Sequence, residues 1–187
     1  MKPISPALDV AAPAYDRTTI LLHWLTALLV VALFALAQVW EAMPRGTPAR
    51  KSLQSLHISL GLLLTVLFVW RAAWRATGGR RLPPASRGAL QAAAKSVHYL
   101  LYLLLAAQIV LGFLFRWAQA EPFTFFGWFS IPTLVPLTRD QRHFFGDLHN
   151  YVAWAIVVLA GLHALAALFH QYALRDGLLR RMWSCSR

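Results

Sequence analysis

Six of the seven histidines in this 187-residue chain stand in or at the ends of long uncharged stretches: His23, His57, His98, His149, His163 and His170. An imidazole in such surroundings can bind a metal through a neutral ring nitrogen, move a proton near neutral pH, or hydrogen-bond a neighbouring helix. Any one of the six taken alone serves as well for the last use as for the others, so the spacing has to decide. His149 and His163 are fourteen residues apart. On an α-helix they differ by about 40° in direction and by roughly 21 Å along the axis, so one face offers an imidazole at each of two depths. His170, seven residues further on, falls within about 20° of the His163 direction.

The elements that must position these rings are legible from hydropathy. The chain is 58% hydrophobic and 13% charged, with a mean hydropathy of +0.52, a balance that favours lipid over water. Uncharged runs cover residues 18–40, 52–70, 96–115 and 148–174. Each is long enough to cross a hydrocarbon core of roughly 30 Å, which takes about 20 apolar residues. The expected fold is all-α, a transmembrane four-helix bundle with helices at about 18–40, 54–75, 96–117 and 148–173. What remains is too short for a separate soluble domain, so residues 1–187 are expected to form one integral membrane domain. A fifth uncharged run, 122–138, contains Pro122, Gly127, Pro132 and Pro136 and reads as an aromatic-rich interfacial loop. Ala35-Leu36-Ala37 has the small-residue pattern of a signal-peptide cleavage site, but the run before it is too long for a typical signal core, and the first segment reads as a span.

The net charge of +11 is a topological signal. With a cytoplasmic N-terminus, Lys2, Arg17, Arg71, Arg75, Arg80, Arg81, Arg87, Lys95, Arg175, Arg180, Arg181 and Arg187 fall inside. Arg45, Arg50, Lys51, Arg116, Arg139 and Arg142 fall outside. This excess obeys the positive-inside rule, so both termini are expected in the cytoplasm of a bacterial inner membrane, and nucleic acid is not an expected partner. A single cysteine, Cys185, excludes an internal disulfide and dithiol redox chemistry.

Topology then pairs the histidines. His23 opens the first helix and lies on the cytoplasmic side, to which His163 returns after its inward travel. His57 and His149 open the second and fourth helices on the opposite side. Two stacked bis-histidine sites result, the ligand set of two haem b groups bound inside the bundle, six-coordinate and suited to passing electrons. Structural zinc is the rival, but it wants four ligands at one depth. Gly61 and Gly161 are small neighbours that would let a flat macrocycle approach the backbone. Arg71, fourteen residues after His57 and on its face, either pairs a haem propionate or snorkels to the cytoplasmic surface.

These residues resemble a known family. Leu22-His23-Trp24, His57-Ile58-Ser59-Leu60-Gly61, Arg71, Val97-His98-Tyr99, His149, Gly161-Leu162-His163-Ala164 and His170 are similar to the bacterial cytochrome b561 family, which includes superoxide oxidase-like members. The resemblance covers nearly the whole chain, from Arg17 to Met182. It implies His23 and His163 as iron ligands of one haem, His57 and His149 as ligands of the other, and His98 and His170 as members of a ubiquinone site. It also implies a superoxide:ubiquinone oxidoreductase, with Arg45, Arg50, Lys51, Arg139 and Arg142 able to attract a small anionic donor. The competing expectation is a membrane anchor subunit that relays electrons between a soluble dehydrogenase or hydrogenase partner and the quinone pool. His143, among charged neighbours in the outer loop, is expected to be solvated.

Overall fold

A computed structural model describes residues 14–183 apart from 85 and 136. Lys2, Pro136, Cys185 and Arg187, which entered the sequence reading, lie outside the described residues. Four helices follow one another: α1 Arg17–Glu41, α2 Pro48–Thr77, α3 Gly88–Ala118 and α4 Arg139–Phe169. All four are long and apolar enough to cross a membrane, and the protein is a transmembrane four-helix bundle.

Each start has a local cause. The Asp16 carboxylate caps α1 by accepting from Thr19 N at 2.9 Å. Thr47 caps α2, with Pro48 in the first turn, where its missing N–H costs nothing. Thr138 and Gln141 form a reciprocal capping box on α4. Helices α2, α3 and α4 extend well beyond the expected spans, with α4 beginning nine residues early. Charged residues mark where the apolar core ends, while backbone hydrogen bonding continues through further solvated turns. His143 accordingly sits in the opening turns of α4 and not in a loop, with its side chain exposed.

Asp16 also joins three elements. Its carboxylate accepts from the Trp74 indole at 3.0 Å, from Arg80 N at 3.0 Å and from the Thr19 hydroxyl at 2.7 Å. Burial pushes its pKa up, but these donors outweigh that and bring it from 3.8 to about 2. A depressed carboxylate stabilises the fold above the unfolded value and loses that contribution as pH falls through the folded one. Asp16→Ala is therefore expected to lower stability by about 1 kcal/mol at neutral pH, as for a lost N-cap. The difference from the parent should vanish between pH 3.8 and about 2, measured by thermal unfolding in detergent.

The helices pack mainly as two antiparallel pairs, α1 with α2 and α3 with α4, and the pairs touch each other sparingly. The run expected as an interfacial loop is instead a short hairpin, β1 Phe123–Phe125 with β2 Phe129–Ile131, in which Phe123 opposes Ile131. Pro122 and Pro132 flank the paired strands and do not interrupt the pairing, and Gly127 supplies the positive φ of 77° that the turn needs. Phe123 is buried against Phe113 and Trp117 of α3. After Phe169 one π-helical turn, His170–Leu174, loosens α4 before a 3₁₀ turn, Leu178–Met182. That last turn crosses the end of the bundle, where Met182 O accepts from the Trp24 indole and Arg181 O from Tyr15 N.

Candidate functional site

The histidines gather at two levels. At the first, His57 of α2 and His149 of α4 face each other with ring centroids 6.5 Å apart and planes inclined by 70°. His57 Nδ1 lies 3.0 Å from the Leu33 carbonyl of α1. A carbonyl only accepts, so Nδ1 carries the proton and Nε2 presents its lone pair. Ligating histidines usually hold their second nitrogen in this way. Trp40 packs edge-on against the same ring at 4.8 Å. On the opposite side, the Gln108 amide of α3 meets His149 Nε2 at 3.1 Å. His149 Nδ1 is left buried without a hydrogen-bond partner.

At the second level, His23 of α1 and His163 of α4 are again 6.5 Å apart, inclined by 76°. Arg71 of α2 does not snorkel. Its Nη2 donates to His23 Nδ1 at 3.1 Å, its Nε donates to the Tyr102 hydroxyl at 3.1 Å, and the guanidinium lies over the Tyr102 ring. His98 of α3 packs on His163 at 5.1 Å. His170 is set apart: its Nδ1 is hydrogen-bonded to the Asp176 carboxylate, and no hydrogen bond or ring contact joins it to His98. Asp176 also accepts from Leu178 N at 3.0 Å. The bond from His170 is the main cause that holds the Asp176 pKa below the usual carboxylate value; burial opposes it, and the bond from Leu178 adds to it.

The spacings separate ligation from packing. Two imidazoles on opposite sides of one metal ion lie about 6 Å apart between centroids, from a metal–nitrogen bond of roughly 2 Å and about 1 Å from nitrogen to ring centre on each side. Both 6.5 Å pairs match this distance, and the 5.1 Å contact of His98 with His163 is too short for it. A Cβ placed on Gly61 or Gly161 would meet no protein atom within 4 Å, whereas one on Gly112 would press on the His149 ring at 3.3 Å. The residues at both levels thus fit a flat iron macrocycle held from two sides.

Gln108, Gly112, Tyr102 and Trp40 did not stand out in the sequence. A single Gln, Gly or aromatic in an apolar helix has many packing uses, and only the partner ring identifies the relevant one. Gln108 did carry a faint signal as the one amide in an otherwise apolar run of α3. Of the basic residues expected at the first-level surface, Arg50 is committed to the α1–α2 turn, donating to Trp40 O, Met43 O and Glu41.

Four spanning helices that oppose imidazoles at two depths define a membrane cytochrome b, a protein built for electron transfer. The chain belongs to the prokaryotic cytochrome b561 family, which it matches over residues 14–184. Among its relatives, cytochrome b561 homolog 2 of Escherichia coli (strain K12) is 35% identical over 86% of this chain and 86% of its own length. A Cereibacter sphaeroides protein named cytochrome b562 is 30% identical over 91% of this chain and 95% of its own. A Yersinia pestis protein named "Probable superoxide oxidase CybB" is 27% identical over 90% of this chain and 94% of its own. Membership makes this chain a multi-pass membrane protein of haem b electron transfer.

Proposed function

We propose that the protein takes single electrons from superoxide at the periplasmic face and delivers them to ubiquinone near the cytoplasmic face, through two haem b groups. His57 with His149 would hold the periplasmic one and His23 with His163 the cytoplasmic one, both termini being cytoplasmic. The observation that carries this reading is the pair of 6.5 Å imidazole separations at two levels of one bundle. A bis-imidazole haem, when bound, supplies a six-coordinate iron that exchanges electrons without binding oxygen.

The rest is the work of the chain's own groups. The Leu33 carbonyl fixes the His57 tautomer, and the Gln108 NH2 that now meets His149 Nε2 would have to yield that lone pair to the iron. Ligation of His23 through Nε2 requires a proton on Nδ1, where Arg71 now donates. Arg71 would then turn to another acceptor, and a haem propionate would offer one suited to a guanidinium. His98 and His170 are the proton-handling groups for the quinone. Reduction to a quinol takes up protons, and an imidazole beside a carboxylate such as Asp176 is suited to delivering them. Superoxide as donor is supported by the name of the Yersinia relative and by Arg45, Lys51 and Arg142 near the periplasmic end, a field that would attract an anion.

Stopped-flow mixing of the purified protein with superoxide, followed at the haem absorption, tests the donor. Reduction faster than spontaneous dismutation, and its reversal by added ubiquinone, are the expected results. A spectrum that stays oxidised would remove superoxide and favour a protein donor.

A further inference from the structure

The hairpin between α3 and α4 is tied to α2. Its anchor is Ser59, one of the most deeply buried residues at 2% exposure. The Ser59 hydroxyl donates toward Ser55 O at 3.0 Å and Thr124 O at 3.2 Å, and accepts from Phe126 N at 3.0 Å. Ser59 lies eight residues past Lys51 on α2, about 12 Å further along the axis from the charges that mark the headgroup level. An independent gauge agrees. Phe123 packs on Phe113, the residue after Gly112, which itself adjoins the His149 ring, so the strand starts at the level of the His57–His149 pair.

The chemistry of the turn suits that depth. Phe126, Trp128 and Phe129 are 46%, 81% and 54% exposed, and Val66 and Val69 of α2 are exposed as well. Phe126 adopts a φ of 48°, a left-handed conformation that is costly for a bulky residue and persists only where the surroundings enforce it. The strain points Phe126 N–H at Ser59. Backbone polar groups inside the hydrocarbon must find partners, and this hydroxyl serves two of them.

We propose that Phe123–Ile131 is a re-entrant hairpin whose tip, Phe126-Gly127-Trp128, is embedded in the leaflet on the side of the α1–α2 turn and latched to α2 by Ser59. Its aromatic side chains contact lipid, in continuity with the bilayer-facing surface of the bundle. Ser59 is a positioning residue, and the inference is independent of which way the bundle is inserted and of the proposed donor.

Bimane fluorescence on single-cysteine variants in phosphatidylcholine nanodiscs tests this. With Cys185→Ser as background, Trp128→Cys is compared with Arg45→Cys in the α1–α2 turn of the same side, each checked for parental haem absorption. At position 128 the expected emission is blue-shifted, lost to lipids carrying a mid-chain nitroxide and unaffected by aqueous iodide, with the reverse at 45. Iodide quenching at 128 equal to that at 45 would overturn the proposal in favour of an aqueous lid. Protection from both quenchers would overturn it in favour of contact with a second copy or another protein. Adding Ser59→Ala to Trp128→Cys should open position 128 to iodide, and unchanged protection would remove Ser59 as the latch.

Discussion

His149→Ala is expected to halve the haem-to-protein ratio of the purified protein while leaving the His23–His163 level loaded. The two levels share α4, but their ligands come from different helices on the other side: α2 for the first and α1 for the second. Removing one imidazole leaves its partner a single weak hold, since a mono-ligated iron loses half of its protein bonds. A pyridine haemochrome assay against protein mass gives the ratio. His57→Ala should behave in the same way, whereas His98→Ala should retain full loading because its 5.1 Å contact with His163 is too short for imidazoles on opposite sides of one iron. An undiminished ratio in His149→Ala, or an equal loss in His98→Ala, would sink the ligand assignment.

The second large effect is expected at the other end of α4. His170→Ala should keep its full haem complement but reduce ubiquinone about 10²-fold more slowly or worse, the usual loss when a positioned acid–base group is removed. His170 stands in a π-helical turn, a distortion that recurs at functional sites because it re-aims a side chain. His170 itself keeps helical φ and ψ of −58° and −41°, and the turn after it brings Asp176 back so that its N–H meets His170 O and its carboxylate meets the ring. Asp176→Asn keeps the shape of that contact but removes its charge, and should shift the pH dependence of quinone reduction with little change in haem spectrum. Equal quinone kinetics in His170→Ala and the parent would remove this histidine from the site.

Much of this was legible before any coordinates. The four spans follow from gaps between charges, and the two levels follow from the fourteen-residue spacing of His149 and His163 combined with alternating helix direction. Both are consequences of fixed helical rise, which sequence alone determines. Three features were not legible. The extra turns of α2, α3 and α4 carry charge and so escape a hydropathy criterion. The hairpin hides among prolines because Gly127 and Ser59 act on it from opposite sides, one of them on a distant helix. The π-turn depends on where the last turns of α4 meet Leu178–Met182, which no local pattern specifies. The family resemblance grouped His98 with His170, and in the structure their contacts are with His163 and Asp176 respectively.

The loose seam between α1–α2 and α3–α4 bears on biogenesis. Both imidazole pairs cross that seam, so on the proposed ligation each porphyrin acts as a rivet between two separately inserted halves. A ligand that binds only the assembled form shifts the equilibrium toward it. Cells starved of porphyrin should therefore accumulate little of this protein, because unriveted halves remain accessible to membrane proteases, and abundance would track cofactor supply without any dedicated regulator.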